Sequence, residues 1–219
     1  MTRCFNLTQT RGLIFDCDGT LLDTMPAWND LEAQFVQMAG VSLTEEQYEE
    51  LRAAPIDECA GIFHNRYGLG ESPDHVLSMM DDHLLGYYQT QASALPGVKA
   101  LLQKANDLGI PCTVVTSSPA RYVVAGLKHA GIGGFFTHII TTDEVGFSKQ
   151  DARIWQLALD VMGSTPETTW GFDDAVYAVK TMNEVGINTV GAYDCDETGT
   201  YEDLAAVADI AVHSLEELL

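Results

Sequence analysis

Four short stretches of this chain hold residues whose types and spacing suit chemistry on an anion. Asp16-Cys-Asp18-Gly-Thr20 follows the apolar run Gly12-Leu-Ile-Phe15. Carboxylates at i and i+2 leaving a strand can enter one crevice beyond the strand's carboxyl end. Gly19 permits a sharp backbone departure there, and the Thr20 hydroxyl is expected to lock the turn. Thr116-Ser-Ser118-Pro119-Ala120 follows a second apolar run. Ser118 is expected to N-cap a helix with Pro119 at N1, which leaves backbone N–H groups for an anion, and Thr116 and Ser117 add neutral donors. Lys149 lies in Gly146-Phe-Ser-Lys-Gln-Asp151, after a third run, in a chain with only 11 basic residues. Asp173-Asp174 follows Trp170-Gly-Phe172. Adjacent carboxylates at a strand end suit a hard cation such as Mg²⁺, held by one or two carboxylates and several waters. Each stretch alone is commonplace; their combination is not.

The elements that must position these residues follow an alternating pattern. Gly12–Phe15, Pro111–Thr116, His138–Thr141, Thr169–Phe172 and Asn188–Ala192 read as buried strands, with Ala208–Val212 as a further edge strand. Helix-period segments separate them, which predicts an α/β class: a Rossmann-like parallel sheet with helices on both faces. The first interval breaks the pattern, because nearly a hundred residues part the first two strands and one crossover needs far fewer. Within it the signals are helical. Thr44-Glu-Glu-Gln47 is a capping box opening a helix through Ala54. Ser72-Pro73-Asp74 gives an N-cap, a proline at N1 and an acidic first turn, opening a helix to about Gln89. Leu95-Pro-Gly97 marks the return. The expectation is an all-helical domain of residues 22–92 inserted into a core of residues 1–21 and 93–219.

The four stretches, in the chain order Asp-x-Asp, Thr/Ser, Lys, Asp-Asp, resemble the four motifs of the haloacid dehalogenase-like superfamily. Phe15-Asp-Cys-Asp-Gly-Thr-Leu-Leu-Asp-Thr-Met-Pro-Ala-Trp28 looks like the first motif and first cap helix of members carrying a helical cap after motif one, in the subgroup of phosphoglycolate phosphatases and β-phosphoglucomutases. Ser148-Lys-Gln-Asp-Ala-Arg-Ile-Trp155 resembles the third motif, with Gln150 and Ala152 where prolines are usual, departures expected to loosen the loop. The resemblance implies that Asp16 attacks phosphorus and forms an aspartyl-phosphate. It implies that Asp18 protonates the leaving oxygen and then takes a proton from water. Thr116, Ser117 and Lys149 would hold the transferring phosphoryl. Mg²⁺ would sit on Asp16, the backbone carbonyl of Asp18, and Asp174, with Asp173 binding directly or through a neighbour. Asp18 favours phosphate esters, because members that cleave carbon–halogen or carbon–phosphorus bonds lack it. A sugar-phosphate mutase is the alternative. Such mutases grip the second phosphate with a basic pair on the cap, and here Arg52 supplies one cation while the approximate partner position holds Ile56. A non-catalytic module of the same fold is a remoter alternative.

Composition narrows the partners. The net charge is −21, a field that repels nucleic acid and anionic membranes. The expected partner is instead a small phosphorylated metabolite, and nothing in the sequence decides between monomer and dimer. Residues 22–92 alone hold 13 acidic residues against Arg52 and Arg66, a net of −11 (13 − 2). No apolar run is long enough to span a membrane, and Met1-Thr-Arg-Cys-Phe-Asn lacks the apolar stretch of a signal peptide. Five scattered cysteines without metal-ligand spacing read as reduced thiols, so the cytoplasm is the default expectation.

Overall fold

The computed structural model describes residues 4–54, 56–195 and 199–219, apart from the side chains of residues 49, 52 and 53. Among these, six strands form one parallel sheet: β1 (Gly12–Phe15), β4 (Cys112–Thr116), β5 (Phe136–Thr141), β6 (Thr169–Asp173), β7 (Asn188–Ala192) and β8 (Ile210–Val212). The spatial order is β5-β4-β1-β6-β7-β8. Every residue of β1, β4, β6 and β7 is buried, as continuous apolar runs require when both sheet faces are covered. β1 lies between β4 and β6, with Phe15 opposite Val114 on one side and Phe172 on the other. Successive strands thus run outward on opposite sides of β1, which makes its carboxyl end a topological switch point.

Helices cover the sheet as right-handed crossovers demand: α5 (Val98–Asp107) and α6 (Ala120–His129) on one face, α8 (Ala152–Met162), α9 (Val176–Val185) and α10 (Tyr201–Val207) on the other. Ile154, Trp155, Ala158 and Leu159 of α8 share a buried apolar cluster with Val176, Val179 and Met182 of α9 and with Ile14 and Val115 of the sheet. A short helix, α7 (Thr142–Val145), follows β5.

The chain divides into two compact units, residues 1–23 with 92–219 and residues 24–91. The second is helical: α1 (Met25–Ala39), α2 (Glu45–Ala53), α3 (Ile56–Tyr67) and α4 (Pro73–Thr90). Its own core includes Leu31, Phe35, Phe63, Met80 and Leu84, and the Trp28 indole donates to the Tyr88 hydroxyl at 3.0 Å. The Thr44 capping box and the Ser72 cap both form. Residues 22 and 23 are not helical. They form strand β2 (Leu22–Asp23), which pairs antiparallel with β3 (Ser93–Ala94), so a two-stranded ribbon of the first unit brackets the helical insertion. No helix among the described residues is long and apolar enough to cross a membrane.

Gly97 makes the return into the sheet unit possible. Its φ is +84°, and a Cβ there would stand 2.3 Å from the Glu216 backbone nitrogen. Gly97→Ala therefore combines left-handed strain with a backbone clash that no rotamer relieves, at a cost of about 2–4 kcal/mol. Urea denaturation should show the lowered midpoint; an unchanged midpoint would mean that the C-terminal segment moves aside freely.

Candidate active site

The carboxyl ends of β1, β4 and β6 lie side by side, and the loops leaving them, with the loop between α7 and α8, carry the acids, hydroxyls and lysine singled out above. Asp16 follows β1 directly, with its amide donating to the Phe172 carbonyl at 2.8 Å, so the β6 ladder fixes its backbone. The chain then folds into one tight turn. The Leu21 and Leu22 amides both donate to the Cys17 carbonyl at 2.9 Å, and the Gly19 amide donates to the Leu22 carbonyl at 3.0 Å. Gly19 adopts φ +76°, and a Cβ there would stand 3.0 Å from Asp174 Oδ2. Glycine is thus required twice, for the turn and for close passage beside a carboxylate. The Thr20 hydroxyl does not lock this turn: it is buried and bonds to no group among the described residues, because the amides and carbonyls already close the turn.

Lys149 ties the loops together. Its ammonium donates to Asp16 Oδ1 and, at 2.9 Å, to Asp173 Oδ2. It is 4% exposed, against 5% for Asp16 and 0% for Asp173. The loop carrying it is held without the usual prolines. The Trp155 indole donates to the Lys149 carbonyl at 3.0 Å, the Asp151 amide donates to the Ser148 carbonyl at 3.0 Å, and Asp151 caps α8. Trp155 therefore serves both core and site, a function that its apolar surroundings in the sequence did not reveal. Asp173 is fixed by a 3.0 Å bond from the Ala175 amide.

Asp16, Asp173 and Asp174 offer oxygens that lie within 4.8 Å of one another. Burial pushes the Asp16 carboxyl up to about 7, with Lys149 opposing the rise and Asp173 and Asp18 adding to it. Asp173 is raised by burial against the pull of Lys149, and Asp174 is held well above the carboxylate range by burial and by Asp16 and Asp173. For Lys149, burial alone would favour the neutral amine, but Asp16 and Asp173 outweigh it and keep the ammonium. With three ionised carboxylates and one ammonium, the pocket carries −2 (−3 + 1), which a dry environment does not tolerate. A divalent cation would neutralise it, and an all-oxygen set of this size suits Mg²⁺. The residues present fit that ion.

The other expected residues sit as follows. Thr116 ends β4, is 1% exposed, and accepts a 3.1 Å bond from the Ser118 amide. Ser117 is exposed in the turn beyond it. Ser118 is not the helix cap. Pro119 holds that position without a side-chain bond, and Ser118 Oγ donates instead to Asp18 Oδ2 at 2.6 Å. Arg52 belongs to α2, but its side chain lies outside the described residues. Arg66, the other cation of the helical unit, is engaged by Glu50 through two bonds of 2.6 and 2.9 Å.

A parallel sheet with catalytic-type acids and a buried lysine at its switch point defines a class, and comparison with known proteins gives the family. The haloacid dehalogenase-like hydrolase family matches residues 10–186, and the chain belongs to it. Among curated relatives, a phosphorylated carbohydrates phosphatase of Thermotoga maritima is 23% identical over 178 residues, covering 81% of this chain and 82% of that protein. Hexitol phosphatase A of Escherichia coli is 25% identical, covering 95% and 93%. The β-phosphoglucomutase of Clostridium difficile shares the fold at 20% identity with a TM-score of 0.71, covering 96% of this chain and 93% of that one.

The raised carboxyl of Asp16 generates a pH dependence. Above 3.8 the unfolded chain has released this proton, whereas the folded, metal-free protein keeps it until about 7. The folded state binds more protons in that window, so stability falls as pH rises through it, by up to about 1.4 kcal/mol per pH unit for one proton. With chelator present, the urea midpoint should fall between about pH 4 and pH 7, and Asp16→Asn should flatten the slope. A midpoint that climbs over this range would contradict the burial argument.

Proposed function

We propose that the chain is a Mg²⁺-dependent phosphatase that hydrolyses a small phosphomonoester through an aspartyl-phosphate on Asp16. The observation that carries this reading is the buried ammonium of Lys149 bonded to both Asp16 and Asp173, with Asp174 completing a carboxylate cluster. Asp16, Asp174 and the Asp18 carbonyl would hold Mg²⁺, with Asp173 beside them. When bound, the ion would supply positive charge next to the nucleophile and the transferring phosphoryl.

The chain's own residues supply the remainder. A carboxylate approaching a phosphate dianion at 4 Å meets about 4 kcal/mol of repulsion per charge pair at an effective dielectric of 20. Lys149 offsets part of that repulsion and holds the Asp16 carboxylate in one orientation. An Asp16 oxygen bonds to phosphorus as the ester P–O bond breaks, and Asp18 gives its proton to the departing oxygen. Asp18 then takes a proton from water as that water attacks phosphorus, the Asp16–phosphorus linkage breaks, and phosphate leaves. Thr116 and Ser117 supply hydroxyl donors for the phosphoryl oxygens.

Residues 24–91 would act as the cap that selects the substrate and excludes water. The names of the two phosphatase relatives support a phosphorylated carbohydrate as substrate class. A mutase must also grip a second phosphate, and one of the two cations of the helical unit, Arg66, is already committed to Glu50. That commitment favours hydrolysis. The presence of every acid, hydroxyl and cation the reaction needs disfavours a non-catalytic module. The five cysteines, which form no disulfide among the described residues, fit a reducing compartment such as the cytoplasm.

Phosphate release from a panel of sugar, hexitol and other phosphomonoesters, with and without Mg²⁺, tests the proposal. Turnover should require Mg²⁺ and vanish in Asp16→Asn without loss of fold, and Lys149→Ala should lower kcat/KM by several orders of magnitude, on the order of 10³. Near-normal turnover by Asp16→Asn would sink the covalent route, and isomerisation of a hexose phosphate without phosphate release would establish the mutase.

A further inference from the structure

We infer that Ser118 is a positioning residue for the general acid, and that its hydroxyl fixes the orientation from which Asp18 hands its proton to the leaving oxygen. The inference rests on the phosphatase reading above and deepens it. Ser118 Oγ donates to Asp18 Oδ2 at 2.6 Å, across 100 residues of sequence. Ser118 is 9% exposed, and Asp18 is half-buried. The serine itself is held from two directions. Its amide donates to Thr116 Oγ1 at 3.1 Å, and Thr116 is buried at the end of β4. Its successor, Pro119, fixes the backbone at the entrance of α6 with φ −55°. The hydroxyl is thus presented from a rigid strand end and not from a mobile loop.

The need for such a partner follows from the chemistry of the carboxyl group. Rotation about the Cβ–Cγ bond of an aspartate is soft and roughly two-fold, so packing of the chain alone does not set the plane of the group. Proton transfer in the transition state is sensitive to that plane and to a fraction of an ångström in distance. Tying one oxygen, Oδ2, fixes the plane for the other. The serine does not occupy the helix-cap position that its place before a proline predicts, and its hydroxyl is turned to Asp18 instead. Ser118 touches neither phosphorus nor metal in this account and acts through Asp18 alone.

This placement makes a prediction that a structural serine does not. An alkyl phosphate needs its leaving oxygen protonated, whereas a nitrophenyl phosphate leaves as a stabilised phenolate and needs little help. With the Mg²⁺-loaded enzyme, Ser118→Ala should lower kcat/KM for an alkyl phosphomonoester by about tenfold, a fraction of the whole general-acid contribution. It should lower kcat/KM for p-nitrophenyl phosphate much less. Ser118→Thr, which keeps a hydroxyl, should recover most of the loss on the alkyl ester. Asp18→Asn serves as the reference, with a larger contrast of the same sign. Equal losses on both substrates in Ser118→Ala, or no loss on either, would overturn the positioning role while Asp18→Asn still shows its contrast. If Asp18→Asn itself affects both substrates alike, the general-acid reading fails, and the role of Ser118 fails with it.

Discussion

One ammonium between two buried carboxylates, with a half-buried third beside them, is the constraint on which the site depends. Lys149 reaches Asp16 and Asp173 in a region from which water is nearly excluded, and Asp174 adds a third acid within the same few ångströms. Burying any one of these charges alone would cost several kcal/mol, so the group is stable only as a set. The set is also incomplete in charge. The deficit of two positive charges is what makes a divalent cation the natural complement; in the metal-free protein, burial pushes the Asp16 carboxyl up. Structure and proposed chemistry thus share one cause: the arrangement that is costly to fold is the one that would attract a metal and a phosphoryl group.

The sheet makes this cost tolerable by holding the members from two strand ends and a clamped loop. Asp16 leaves the central strand, its amide locked to β6. Asp173 ends β6 and is capped by the Ala175 amide. Lys149 comes from the loop before α8, and Trp155, deep in the core, clamps its carbonyl. A side chain whose backbone is fixed at the end of a buried strand loses little further entropy on joining the cluster. The acidic surface acts in the opposite direction. A chain with a net charge of −21 repels a phosphate ester at long range, so binding such an ester would depend on cations gathered locally, and Lys149 is the one buried lysine or arginine among the described residues.

Much of this was readable from the sequence because it is local. A short apolar run that ends in acids or hydroxyls reports both a buried strand and what stands at its end, and all six predicted strands agree with the structure to within two residues at either end. The sixth starts two residues late, at Ile210, because Asp209 turns its carboxylate to the Thr189 amide instead of entering the strand. What the sequence hid is long-range. Ser118 before a proline looks like a helix cap, and nothing near it reveals a partner 100 residues away. The β2–β3 ribbon pairs two residues with two across the whole insertion, too short for any periodicity to register. The third helix of the insertion, Ile56–Tyr67, buries only Ala60 and Phe63, too few apolar positions to stand out.

The central claim is that Asp16 becomes covalently phosphorylated. Acid quenching during steady-state turnover, followed by peptide mapping, measures this directly. The account predicts a phosphoryl group on the Asp16 peptide that appears only with Mg²⁺ and substrate, is released by hydroxylamine as an acyl phosphate is, and accumulates in Asp18→Asn if that variant slows the second step more than the first. Sustained phosphate release with no phosphorylated Asp16 at any quench time, from an enzyme that also tolerates Asp16→Asn, would mean that water attacks the ester directly and that the carboxylate cluster serves only the metal.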